Sequence, residues 1–473
     1  MTERLRILQV NSNEISGGAQ RVAWNLFRSY RARGHDSWLA VGQRLGNDPD
    51  VLPLSHGLSR SGWSRFWWSL HERCQSLDGN GRLSRWVQLA AEPRAILDYC
   101  RGVENFHYPG TWNVLDMAPR FPDILNCHNL HGGYFDLRAL SWLSHQLPTM
   151  ITLHDAWLLS GHCAHSLNCE RWRIGCGQCP DLSIYPAVTR DATAFNWQRK
   201  LETYQKSRLY LVTPSRWLME KVKESMLALA VAESKVIPNG VDLAVYHPVD
   251  RNAVRASLGL PQDGKILLFT ANGIRANIWK DFRTLRSAIS RVATSKPKRP
   301  LLFVALGENG SRERIGGAEI SFVPYQSTPE AVASYYQAAD IYIHAARADT
   351  FPNTILEALA CGTPVVATAV GGIPEQVRTL AAKGSSVNSY GVDQATGFLV
   401  SPGNVDELAR RIEELLEDGE LRKRLSINAA ADARQRFDLE RQVDAYLDWY
   451  HDIRRDFDNI RSYSPAPETR KWA

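Results

Sequence analysis

At 473 residues, 44% of them hydrophobic and 22% charged, the chain is too long for one ordinary core and has a globular composition. No run of about 18 apolar residues occurs, so a membrane-spanning helix is not expected. The formal net charge of +6 suits an anionic substrate or a membrane surface, and by itself does not argue for nucleic acid.

Met1-Thr-Glu-Arg-Leu-Arg leads straight into Ile7–Val10, which reads as a first strand rather than a signal peptide. Similar apolar runs follow at Met150–Leu153, Tyr210–Thr213, Ile266–Ala271, Leu301–Leu306, Ile341–Ala345, Val365–Thr368 and Phe398–Val400, separated by helical patterns. Continuous Ile/Leu/Val strands alternating with helices predict parallel sheets covered on both faces. Their presence in both halves predicts an α/β chain of two such layers. No internal repeat is evident.

After the first strand comes Ser12-Asn-Glu-Ile-Ser-Gly17-Gly18-Ala-Gln-Arg-Val, a glycine turn opening a helix and a backbone pocket for an anion. The stretch Leu58–Trp86 mixes Trp63, Trp67, Trp68 and Trp86 with Arg65, Arg73, Arg82 and Arg85. Such a mixture suits a bilayer interface with anionic headgroups, a glycan, or ordinary core contacts. His128 follows Pro122-Asp-Ile-Leu-Asn, and His154-Asp155 stands at the carboxyl end of Met150–Leu153, where open α/β sheets place ligands.

Cys74, Cys100, Cys127 and Cys361 are scattered, as reduced cytosolic thiols are. Cys163, Cys169, Cys176 and Cys179 crowd behind His162, with a Cys-x2-Cys knuckle and enough thiolates for a closed tetrahedral zinc site. Two disulfides, an iron–sulfur cluster or plain reduced thiols remain open for the same residues.

Val236-Ile-Pro-Asn-Gly-Val-Asp242 marks a junction, with Gly240 able to take a positive φ. Asn272-Gly-Ile-Arg275 lies just after a strand, Lys280-Asp281 opens the next helix, and Gly307-Glu-Asn-Gly310 and Phe322-Val-Pro-Tyr325 follow further on. Asp349-Thr-Phe-Pro-Asn-Thr-Ile-Leu-Glu357 then places two acids eight positions apart, before a strand and Gly371-Gly372-Ile-Pro-Glu375. Asp349 and Phe351, Pro352, Asn353 and Thr354 fall at a helix N-terminus, which favours an anion such as a diphosphate. Glu357, about a turn later, can accept hydrogen bonds from sugar or ribose hydroxyls.

This last string resembles the acidic-x7-Glu signature of retaining glycosyltransferase family 4, with Asp349 where the family usually has Glu. The resemblance extends from Ile7 to about Tyr450 and includes the Gly-Gly loop and Pro-Asn-Gly-Val-Asp. It implies two Rossmann-like domains (the GT-B fold) facing each other across a deep cleft, with the C-terminal helix returning to the first. The domains expected are 1–240, for the acceptor, and 241–436, for the donor, with a crossing helix at 437–460 and a tail at 461–473.

The resemblance also implies His154, Asp349 and Lys280 as catalytic residues. It assigns donor binding to Gly17, Gly18, Arg275, Lys280, Phe351, Pro352, Asn353, Thr354 and Glu357. It further implies that Arg275 and Lys280 neutralise the departing diphosphate without an obligatory metal, so no catalytic metal is expected; a structural zinc stays one of the open readings of the four cysteines.

The expected reaction moves a sugar, with retained anomeric configuration, from a nucleoside diphosphate donor to a glycan or lipid-linked acceptor in bacterial surface polysaccharide or glycoconjugate assembly. A cytoplasmic protein, peripheral at the inner face of the plasma membrane, fits that role. A nucleotide-sugar epimerase or phosphorylase of the same architecture, or a non-catalytic metal-stabilised glycan-binding protein, are the other readings.

Overall fold

The computed structural model describes residues 3–54, 93–294, 300–381 and 389–463. The aromatic and basic stretch at 58–86, Cys74 and the tail from 464 lie outside them.

The chain divides into two compact units: Met1–Thr213 with Met219–Val236 and Val443–Ala473, and Pro214–Leu218 with Ile237–Gln442. In the first, β1 (Arg6–Asn11), β2 (Asp36–Val41), β3 (Val51–Pro53), β4 (Ile124–Cys127), β5 (Thr149–Thr152), β6 (Leu209–Thr213) and β7 (Val231–Val236) form one sheet. Its order is β3-β2-β1-β4-β5-β6-β7, and every pairing is parallel. The chain lays down strands on one side of β1, then returns to build on the other. The switch point therefore lies at the carboxyl ends of β1 and β4.

The second unit repeats this logic with β8 (Lys265–Thr270), β9 (Leu301–Leu306), β10 (Glu313–Ile315), β11 (Ala318–Val323), β12 (Ile341–His344), β13 (Val365–Thr368) and β14 (Gly397–Val400). The order is β10-β11-β9-β8-β12-β13-β14, with only the β10–β11 pair antiparallel. Here the switch point falls between β8 and β12. Alternate residues feed two cores: Leu267, Phe269 and Phe303 pack on one face, Ile266, Leu268 and Val304 on the other. Burial on both faces explains why these strands are apolar throughout.

Strands β2, β4, β7 and β11 interrupt their apolar character and escaped the run-based reading. Asn126 sits inside β4, and β7 exposes Ala232, Glu233 and Ser234 along the sheet edge. In β11 buried and half-exposed residues alternate.

The helix Leu439–Tyr463 begins in the second unit and, from Val443, packs into the first. Trp449 and Tyr450 are fully buried there. Trp449 Nε1 donates to Glu233 (2.9 Å), and Asn126 Nδ2 donates to the Tyr450 hydroxyl (2.9 Å). Among the described residues no helix is long and apolar enough to cross a membrane.

Gly240 departs from expectation, because it is not in the left-handed region. A glycine is needed because the Leu439 backbone passes where a Cβ would stand.

Candidate active site

In the second unit the loops after β8 and β12 meet at the switch point. An isolated bridge pairs Lys280 with Ala346, and the backbone N–H groups of Asp281 and Arg347 donate to Ala345 and Trp279 (2.9 Å each). This clamp brings together side chains 69 positions apart in sequence: Lys280 Nζ donates to Asp349 Oδ2 at 2.5 Å. It also lies 3.2 Å from His344 Nε2. The other ring nitrogen of His344 faces the Tyr342 hydroxyl at 3.1 Å, and Thr270 Oγ1 extends the network to Tyr342 and Tyr336 (3.2 and 2.8 Å).

Burial works against ionisation of Asp349, yet the adjacent Lys280 ammonium holds the carboxyl well below the usual range. His344 is completely buried; burial first, then the Lys280 charge, bring its pKa down to about 4. A neutral imidazole accepting from Lys280 is consistent with both.

That shift has a measurable consequence. Between its folded pKa of about 4 and the usual 6.5, His344 stays neutral in the folded chain while the unfolded chain takes up a proton. The unfolded state then binds more protons, so stability rises with pH across this window and is lost on acidification. Urea unfolding of the wild-type chain is expected to lose about 3 kcal/mol on this account between about pH 7 and pH 4. His344→Gln is expected to flatten the profile; an unchanged slope in that variant rules His344 out as its source.

Asp349 leads to the helix Asn353–Ala360, whose N-cap is Pro352 and which no side chain caps. Phe351 packs edge-to-face on Phe437 (centroids 5.9 Å apart) in the core, so it shapes the backbone here. Asn353 accepts from Asn239 Nδ2 at 3.0 Å, which ties Pro-Asn-Gly-Val-Asp to the acidic motif. Thr354 is half-buried, and Glu357 is 8% exposed on the same helix. Gly371 and Gly372 press against the carbonyls of Asp349 and Thr350 so closely that a Cβ on either would overlap them. The third acid, Glu375, accepts the backbone N–H groups of Arg216 and Trp217 (2.9 Å each) and is structural.

Arg275 pairs with Glu308, reaches the Asn309 carbonyl (2.9 Å) and lies over the Phe322 ring, 4.8 Å from its centroid. Glu308 also accepts from the N–H groups of Ile274 and Arg275 (2.5 and 2.8 Å). Glu308 thus gathers the Ile274 and Arg275 N–H groups and the Arg275 guanidinium.

In the first unit, Gly17 takes φ 108° and starts the helix Gly18–Ala32, again without a side-chain cap. His128 and His154 stack after β4 and β5, with Nδ1 and Nε2 3.0 Å apart. Gln9, in the middle of β1, donates its amide to the Ala23 carbonyl and accepts from His128 Nε2 (3.0 Å). That leaves His128 Nδ1 as acceptor and makes His154 Nε2 the donor. Burial lowers both histidines, His154 to about 4, so the relay is uncharged at neutral pH. Beside it, His131 Nε2 meets Asp155 at 2.7 Å and the Tyr185 hydroxyl stands 3.3 Å from His131 Nδ1. Burial disfavours the carboxylate, but His131 and the Trp157 N–H take Asp155 down to about 2.

His344, Gln9, Asn239 and His131 were not anticipated from sequence. A polar residue inside or closing an apolar strand was the available signal for Gln9 and His344.

Two doubly wound parallel units, each with polar and charged residues at its switch point, define a GT-B glycosyltransferase fold. The architecture is shared with sucrose-phosphate synthase from Thermosynechococcus elongatus (TM-score 0.58, 18% identity, 95% of this chain and 99% of that one). It is shared also with HepE of Anabaena, crystallised with UDP-glucose (TM-score 0.53, 16% identity, 98% of this chain and 100% of that one).

A model described as Glycosyltransferase Family 4 matches residues 16–245, and one described as Glycosyl transferases group 1 matches residues 250–432. The chain belongs to this glycosyltransferase family. Among curated relatives, D-inositol 3-phosphate glycosyltransferase of Mycobacterium leprae is 32% identical over 262 residues, 51% of this chain and 55% of the relative. The Mycobacterium tuberculosis protein of the same name is 33% identical over 234 residues, 46% of this chain and 44% of the relative. The chain thus spans about half the length of the curated relatives it matches.

Proposed function

We propose that the chain is a retaining hexosyl transferase: it moves a sugar from a nucleoside diphosphate donor to an acceptor hydroxyl. The Lys280–Asp349–His344 cluster, at the switch point and the head of the helix that carries Glu357, is the observation that carries this reading. Cleavage of the donor builds negative charge on the departing diphosphate. A fixed ammonium and helix N–H groups stabilise that charge more in the transition state than in the ground state. Asp349 keeps Lys280 in place; Glu357 accepts from hydroxyls of the sugar or ribose.

In this reading the second unit binds the donor and the first the acceptor, with His154 a polar contact offered by the first unit. The neutral His128–His154 relay suits hydrogen bonding to a hydroxyl better than binding an anion. The acceptor we infer is a glycan or lipid-linked glycan of bacterial surface glycoconjugate assembly, a setting supported by the family resemblance alone.

A thermal-shift screen against UDP-, GDP- and ADP-sugars tests the donor. The correct one is expected to raise the melting temperature by mass action, by about 2.7 kcal/mol of stability at a hundredfold excess over its dissociation constant. Glu357→Ala is expected to abolish that shift while the ligand-free melting temperature stays close to wild type. Wild-type binding in the variant would favour a non-catalytic scaffold. Proton NMR of the product anomer then decides retention against inversion.

A further inference from the structure

The Cys163–Cys179 segment has no part in the transfer chemistry above, yet it is built around a small, partly open space. Cys163, Cys169, Cys176 and Cys179 line one cavity of about 20 Å³ together with His162 and Trp172, and all four thiols are free. That space is of the size that holds a single water or ion.

The chain adopts an uncommon backbone to present these thiols. Cys176, Gly177 and Gln178 run consecutively through the left-handed region (φ 57°, 80° and 47°), which costs free energy at the two non-glycine positions. The turn aims Cys176 and Cys179 at the same cavity, and the Gly161 N–H donates to Cys176 Sγ at 3.3 Å. His162 Nδ1 donates to the Pro186 carbonyl (3.0 Å) and its Nε2 lies 3.3 Å from Cys179 Sγ. Two cations flank the space: Lys200 Nζ is bonded to the Ser160 carbonyl, and Lys221 Nζ to Ser166 Oγ.

We propose that this loop holds one structural Zn2+ on the thiolates of Cys163, Cys169, Cys176 and Cys179. Tetrahedral zinc at about 2.3 Å from each sulfur places the sulfurs about 3.8 Å apart. Among the described residues no three such side chains already converge on one metal position, so capture must draw the thiols inward. Binding releases the thiol protons and leaves a centre of net charge −2. The flanking Lys221 offsets part of that charge, while Lys200 is already paired with Glu104 at 3.0 Å. The metal then pins the loop that begins only a few residues after His154-Asp155.

The test is metal analysis of the full chain purified without chelator, with no donor or acceptor present. About one zinc per chain is expected, freed by a mercurial and recovered on adding Zn2+ with reductant. Cys169→Ser and Cys176→Ser are each expected to fall below about one-fifth of that content. A reduced, folded wild-type chain that takes up no zinc overturns the proposal. So does iron with inorganic sulfide, or two disulfides found by mass spectrometry. The readout requires no turnover, so it stands whether or not the chain transfers sugar.

Discussion

Replacing Lys280 by methionine is expected to lower kcat for glycosyl transfer about 10²- to 10³-fold, the range found on removing one group that stabilises transition-state charge. Methionine keeps most of the side chain's length and removes only the ammonium. Because the charge it answers develops during bond breaking, kcat and kcat/KM should fall together. The same substitution leaves Asp349, only 18% exposed at its side chain, without its closest cation. A buried acceptor stripped of its partner costs about 1–3 kcal/mol.

The pH dependence follows from the sign of the shift. A depressed folded pKa stabilises the chain above the usual carboxylate range, and that contribution is lost as pH falls through the folded value. In Lys280→Met the Asp349 pKa rises toward its unfolded value, so the stability lost on acidification below about pH 5 is smaller than in wild type. Steady-state kinetics with the donor found by thermal shift, together with urea midpoints across pH, read both effects. A variant with wild-type kcat would remove Lys280 from the chemistry and leave it a structural partner of Asp349.

Gly371→Ala is the second substitution expected to be severe, although Gly371 carries no functional group. Its φ of 56° already disfavours any L side chain, and a Cβ there would overlap the Asp349 carbonyl. Relief requires the Asp349 backbone to move, which pulls its carboxylate off Lys280. A loss of about 3–5 kcal/mol in unfolding free energy is expected, together with loss of detectable transfer. Gly391→Ala is the control, since among the described residues nothing lies within 4 Å of a Cβ at that position. It should change stability by no more than about 0.5 kcal/mol. Equal effects in the two variants would mean that the close contact at Gly371 does not hold Asp349 in position.

The two predictions explain why the acidic motif could be read from the chain while its partners could not. From Asp349 to Glu375 the loop, helix, strand and glycine turn follow one another within 27 residues, and hydrophobic run length and turn residues encode them locally. Lys280 also stood out, as a cation at a helix start. That it reaches Asp349, and that Arg275 is instead held by Glu308, depends on how loops after different strands converge. Glu375 shows the converse: an acid in a conspicuous motif whose work is to accept two backbone N–H groups.

The amino-acid order alone determined the alternation of buried strands and helices, the glycine turns after them, and therefore two parallel α/β layers. These depend on side-chain hydrophobicity and backbone freedom over ten or so residues. Tertiary structure alone decided which loops share a switch point. That choice made His344 a neutral acceptor beside Lys280 and linked Gln9 to His128 and His154. Each of these depends on strand order, and strand order is settled by packing between segments far apart in the chain.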